Sequence, residues 1–118
     1  MNGPDFTIVE GTTFGFGITW EDSGTPRSAI DIEGCAAVFR ICPASSSQTL
    51  AECTTEDGGV KIGPLRGQLT VSLAPEKTAG TSGALWTGAR YELRVMYPSG
   101  DVYSLVRGQA RLIPAVIE

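Results

Sequence analysis

Three groups of side chains have types and spacings that could do chemistry: the cysteines Cys35, Cys42 and Cys53, a set of paired carboxylates, and the aromatics. A cysteine nucleophile needs a base or a neighbouring cation to depress its thiol pKa. The chain has no histidine, the commonest general base and neutral metal ligand, and this absence weighs against an enzyme. Arg40 is the local cation, and in an extended strand it shares a face with Cys42 but not with Cys35. The thiols therefore read as small, buried, reduced apolar side chains. A Cys42–Cys53 bridge is the alternative, since the segment between them suits a hairpin loop, and an odd number leaves one thiol over. The carboxylate pairs Glu21-Asp22, Asp31 with Glu33, and Glu56-Asp57 lack the spacing of a calcium loop and read as solvated turn residues. The glycines of GTTFGFG fall inside an alternating stretch, not between a strand and a helix, so they cradle no phosphate. No catalytic residue, metal or cofactor is predicted. Trp20, Trp86, Tyr91, Tyr97 and Tyr103 could form a stacking platform for carbohydrate. Periodicity assigns most of them to a core, and Trp86, in the Gly-rich GTSGALWTG, is the candidate for exposure to a partner.

The elements that must position these residues are strands. From Ala89 to Pro114, Tyr91, Leu93, Val95 and Tyr97 alternate with Glu92 and Arg94, the period of a half-buried strand. Pro98-Ser99-Gly100-Asp101 supplies a turn, after which Val102, Tyr103 and Leu105 resume the hairpin. Thr13 to Trp20 alternates as cleanly, with Phe14, Phe16, Ile18 and Trp20 on one face. Burying each is worth about 1.5–3 kcal/mol, so this face is core or interface. CAAVFRIC (35–42) is almost continuously apolar and reads as a central strand. Shorter strands are predicted over Asp5 to Glu10, Thr49 to Thr55, Val60 to Ile62 and Gln68 to Leu73, with room for a turn or two of helix between Ala74 and Gly80. The pattern predicts one all-β domain spanning 1–118. It is an antiparallel sandwich of about seven to eight strands with at most one short helical turn.

Composition narrows the partners. Fifteen glycines and seven prolines among 118 residues suit many short strands and turns. Thirteen acidic against nine basic residues give a net charge of −4, which argues against nucleic acid, a partner held by cations that neutralise phosphates. No apolar run approaches the roughly 20 residues that span a bilayer, and the amino terminus lacks the regions of a signal peptide, so neither a membrane nor export is predicted. Apolar residues near the termini, Phe6, Ile8 and Val9 at one end and Leu112, Ile113, Val116 and Ile117 at the other, either complete the domain's own sheets or dock on a partner. With Trp86 they are the candidate interface.

Three stretches carry a resemblance: Val9-Glu10-Gly11-Thr12-Thr13-Phe14 leading into ITWEDSGTP (18–26), Leu69-Thr70-Val71-Ser72-Leu73 with Thr78-Ala79, and Tyr91 to Val95 with PSGDV (98–102) and Leu105 to Gly108. In these the chain resembles small virion proteins of tailed bacteriophages, related to the immunoglobulin-like amino-terminal domain of baseplate upper proteins and receptor-binding-fibre adaptors. The match departs at CAAVFRICPASSSQTLAEC (35–53). The chain also ends near its last strand without a fibre or coiled-coil extension, which favours a free-standing component. The resemblance implies an immunoglobulin-like fold and a non-enzymatic structural role in the virion, in the tail baseplate or fibre-attachment region. It also implies many copies in a symmetric assembly and production in the host cytoplasm. A capsid cement or decoration protein is the rival within that class, and a carbohydrate-binding module is the rival outside it.

Overall fold

The computed structural model describes residues 3–24, 26–81 and 83–117. Among the described residues eight strands form two sheets: β1 (Phe6–Val9), β2 (Phe14–Thr19), β3 (Ala36–Cys42), β4 (Ala51–Thr54), β5 (Val60–Ile62), β6 (Gln68–Leu73), β7 (Arg90–Met96) and β8 (Val102–Ile113). The five-stranded sheet has the order β1-β8-β7-β3-β4 and the three-stranded sheet β2-β6-β5. The chain changes sheet between β1 and β2, β2 and β3, β4 and β5, and β6 and β7, while β3–β4, β5–β6 and β7–β8 pair within a sheet, the connectivity of a two-layer β-sandwich. All pairs are antiparallel except β1 with β8, which run parallel from Phe6 beside Ala110 to Val9 beside Ile113. The antiparallel sandwich expected from sequence holds apart from this one parallel pair. β1 sits in the same sheet as the last strand but follows no hairpin into it, so nothing forces the antiparallel sense.

Alternation explains the inner faces. Ala37, Phe39 and Ile41 of β3, Tyr91, Leu93 and Val95 of β7, and Leu69, Val71 and Leu73 of β6 are all buried. β8 breaks its period of two at Leu105 and Val106, both buried, because the register with β7 shifts between Leu93 and Arg94. Leu93 faces Val106 while Arg94 faces Ser104, so Leu105 is the extra residue of a β-bulge that turns two neighbours inward. Between the sheets Phe6 stacks on Tyr91 with centroids 4.5 Å apart, Phe16 meets Phe6 at 4.7 Å, and Phe39 meets Phe16 at 5.4 Å. These rings join both sheets into one core. The Tyr91 hydroxyl donates to the Pro4 carbonyl at 2.7 Å, which satisfies its buried polar end. Gly108 is required beneath that ring, since a Cβ there would lie 3.0 Å from Tyr91 Cε2 and 3.1 Å from the Pro4 carbonyl oxygen.

The segments between strands are tied by polar groups. Gly11 N–H donates to Thr78 Oγ1 and Gly80 N–H to Glu10 Oε2, both at 2.9 Å, which fastens the end of β1 to the segment after β6. Thr78, wholly buried, follows the short 3₁₀ turn Pro75–Lys77. A second 3₁₀ turn, Gly83–Trp86, exceeds the single helical turn expected from sequence. Its apolar Trp86 is driven under the end of β8, where it is 3 % exposed.

Candidate functional site

The eight candidate interface residues separate into two groups. Ile8, Leu112 and Trp86 are buried in the domain's own core, and Phe6 is half-buried among Phe14, Phe16 and Tyr91. These four complete the sandwich, and the expectation that Trp86 meets a partner is corrected: a Gly-rich neighbourhood let the ring fold inward. Trp86 Nε1 is buried with no hydrogen-bond partner among the described residues. The other four point outward. Val9 and Ile113 are register partners at the end of the parallel pair, 41 % and 43 % exposed. From Ile113 the chain continues to Val116 and Ile117, which are 97 % and 88 % exposed. Glu10 N–H donates to the Ile113 carbonyl at 2.9 Å, so the strip starts from a fixed edge. An apolar strip of this kind on one end of a sandwich can bury itself only against another surface.

The thiols do not form a reactive centre. All three are free. Cys53 faces inward beside Phe39, and burial, aided by the Asp57 carboxylate, pushes its pKa up to about 11. Burial and the nearby Asp31 also raise Cys35. Cys42 is half-buried on the opposite face of the sheet, so the expectation of three buried thiols holds only for Cys53. Its neighbour Arg40 is held by Glu52 across the β3–β4 ladder. The carboxylates serve turns: Asp57 Oδ1 accepts from Thr54 N–H and Gly59 N–H, and Asp22 Oδ1 from Gly24 N–H and Ser28 N–H. Those bonds hold both carboxyls below the usual range. No group of three or more His, Cys, Asp or Glu side chains converges to hold a metal among the described residues.

The aromatics do not make a platform. Tyr91 and Trp86 are buried, while Trp20, Tyr97 and Tyr103 meet at interplanar angles of 50°, 57° and 85°. Such tilted rings plug the end of the sandwich, where the Tyr97 hydroxyl donates to the Asp31 carbonyl at 3.2 Å. A flat stacking surface for a sugar ring is absent from this set.

One feature was missed by sequence reasoning. On the outer face of the five-stranded sheet, ladder pairing gathers Arg40, Arg90, Arg94 and Arg107 from three strands, and Arg111, the register partner of Thr7, follows on the outward phase of β8. A shallow concavity of about 760 Å³ runs across this face, lined also by Val38, Met96 and Val102. Arg94 pairs with Glu92 at 2.9 Å, and Arg90 Nη2 donates to the Ser46 carbonyl at 3.2 Å. The sequence signal was the outward phase of each alternating strand, but only the register puts those phases side by side. No known protein family matches this chain, and no curated protein does.

Proposed function

We propose that this chain is a non-enzymatic structural protein of a tailed-phage particle that docks onto neighbouring subunits in the tail baseplate or fibre-attachment region. The observation that carries the reading is the apolar strip of Val9, Ile113, Val116 and Ile117, exposed at one end of a sandwich whose core is otherwise closed. A rigid sandwich offering an apolar extension suits addition to a partner's sheet edge or groove. The virion resemblance of the β1–β2 and β7–β8 segments supplies the kind of assembly.

Electron cryomicroscopy of purified particles tests it. Density for the sandwich at the tail tip or fibre collar is the expected result. Density on the capsid lattice would replace docking in the tail by a cement role, and absence from particles would overturn the virion reading. At the level of the protein, removing residues 114–118 is expected to leave the thermal melt unchanged and to abolish incorporation. A collapsed fold after that trimming would assign the tail to the domain's own core.

A further inference from the structure

The outer face of the five-stranded sheet carries five arginines, Arg40, Arg90, Arg94, Arg107 and Arg111, all exposed, against the carboxylates Glu52 and Glu92. That face is net +3 in a chain whose total is −4, so the remainder carries −7. Much of that negative charge is concentrated at one end of the sandwich. There the β2–β3 connection brings Glu21, Asp22, Asp31 and Glu33 beside Asp101 of the β7–β8 turn, joined through the Tyr97 hydroxyl and the Asp31 carbonyl. Arg66 and Lys61 line the same concavity as Asp31 and Glu33, and with Arg27 of the β2–β3 connection they offset part of this charge, leaving the end acidic.

We propose that the arginine-bearing sheet face docks the carboxylate-rich loop end of a second copy of this chain. The complementary surface is present on the molecule itself. Face-to-face pairing of two copies would oppose like charge, whereas face-to-end pairing opposes unlike charge. The chemistry of the face favours protein over a polyanion. Arginines are interleaved with Glu52 and Glu92, which repel phosphates, and with Val38 and Met96; arginine and methionine are enriched at protein interfaces. The Arg40–Glu52 and Arg94–Glu92 pairs are exposed and worth little, so their guanidiniums can re-pair across a contact. Five strands about 4.8 Å apart, each residue rising about 3.3 Å, give a face of roughly 500 Å², at the low end of specific interfaces. The association is therefore reversible and salt-sensitive. Its geometry is head-to-face, so it closes into rings or extends.

The inference concerns the sheet face and does not rest on docking through residues 114–117. Sedimentation velocity of the full chain at about 50 mM and about 500 mM salt tests it. Concentration-dependent growth at low salt that reverses at high salt is expected. The double variants Arg94→Glu/Arg107→Glu and Glu33→Lys/Asp101→Lys are each expected to weaken self-association by about tenfold or more, with circular dichroism unchanged because all four positions are exposed. Mixed, the two variants are expected to regain association, since the acidic end of one meets the basic face of the other. A wild-type chain that stays monomeric at low salt overturns the proposal, as does a face variant that assembles like wild type. Binding of poly-L-glutamate or duplex DNA to a monomeric chain would also overturn it, giving the face to a foreign acidic partner.

Discussion

The two sheets share a core but present unlike outer faces. On the five-stranded sheet the outward positions hold arginines, Glu52, Glu92, Val38 and Met96. On the three-stranded sheet they hold Gly15, Gly17, Thr19, Thr70, Ser72 and Lys61, all exposed. The second face is also closed to enlargement at Gly15, where a Cβ would lie 2.8 Å from the Val71 carbonyl oxygen. The comparison teaches that the inner halves of both sheets share the work of folding, while the side chains a sheet surface could offer a partner are concentrated on one side. A small face whose single charge is Lys61 offers a partner little area and little charge to read.

The strongest way to break that comparison is to place one charge on each side of the three-stranded and five-stranded layers. Tyr91→Asp buries an unpaired carboxylate beside Phe6 and Phe39, a cost of several kcal/mol against a total stability of about 5–15 kcal/mol. The domain is expected to unfold, as read by circular dichroism. Ser72→Asp, on the outer face of β6, is expected to change stability by no more than about 0.5 kcal/mol in a denaturant melt. Equal damage from both would show that the outer face of the smaller sheet is not free.

A finer contrast lies within one sheet, between Cys42 on its outer face and Cys53 on its inner face. Cys53, raised in the folded state to about 11 from 9.0, contributes nothing to pH dependence while both states stay protonated. Above pH 9 the unfolded chain ionises first, so stability falls between pH 9 and 11 and the loss is complete once the folded thiol titrates. Asp57 runs the other way: its lowered pKa stabilises the fold above the ordinary value of 3.8, and that contribution is lost as acid titrates it below. Denaturant melts across pH should show both slopes, and Cys53→Ala should make the alkaline one shallower, leaving the part that burial of Cys35, Tyr91 and Tyr97 contributes by raising them in the same way. Thiol labelling near neutral pH is expected to modify Cys42 before Cys53, and the reverse order would contradict the assignment of faces.

The smallest effect is expected at Trp86. Trp86→Phe keeps most of the buried ring and removes an N–H that has no partner, so stability should stay within about 1 kcal/mol of wild type or rise. Trp86→Ala, which removes the ring under β8, should cost about 3–5 kcal/mol. A Trp86→Phe variant as unstable as Trp86→Ala would mean that Nε1 has a partner in solution.

Much of the architecture was legible because strands announce themselves locally. The alternation of Phe14, Phe16 and Ile18, of Leu69, Val71 and Leu73, and of Tyr91, Leu93 and Val95 follows from side chains pointing to opposite sides of a pleated backbone. Turn chemistry was local as well: Gly100, at φ 98°, takes the left-handed conformation that closes the β7–β8 hairpin. Trp86 was misplaced because an isolated ring in a Gly-rich segment has no period to betray its direction. Of the candidate interface, the sequence could say that Val9, Ile113, Val116 and Ile117 were apolar, but not that Ile8 and Leu112 beside them were already taken by the core.

By itself, then, the sequence determined the strands, their two faces, the turns between them and the lack of a histidine-based site, all of which depend on residues within a few positions of one another. Only the tertiary structure decided the parallel pairing of β1 with β8, the bulge at Leu105, the burial of Trp86 and the meeting of five arginines on one face. Those depend on register between segments as far apart as Phe6 and Ala110, and register is set by how the whole core packs, not by any local pattern.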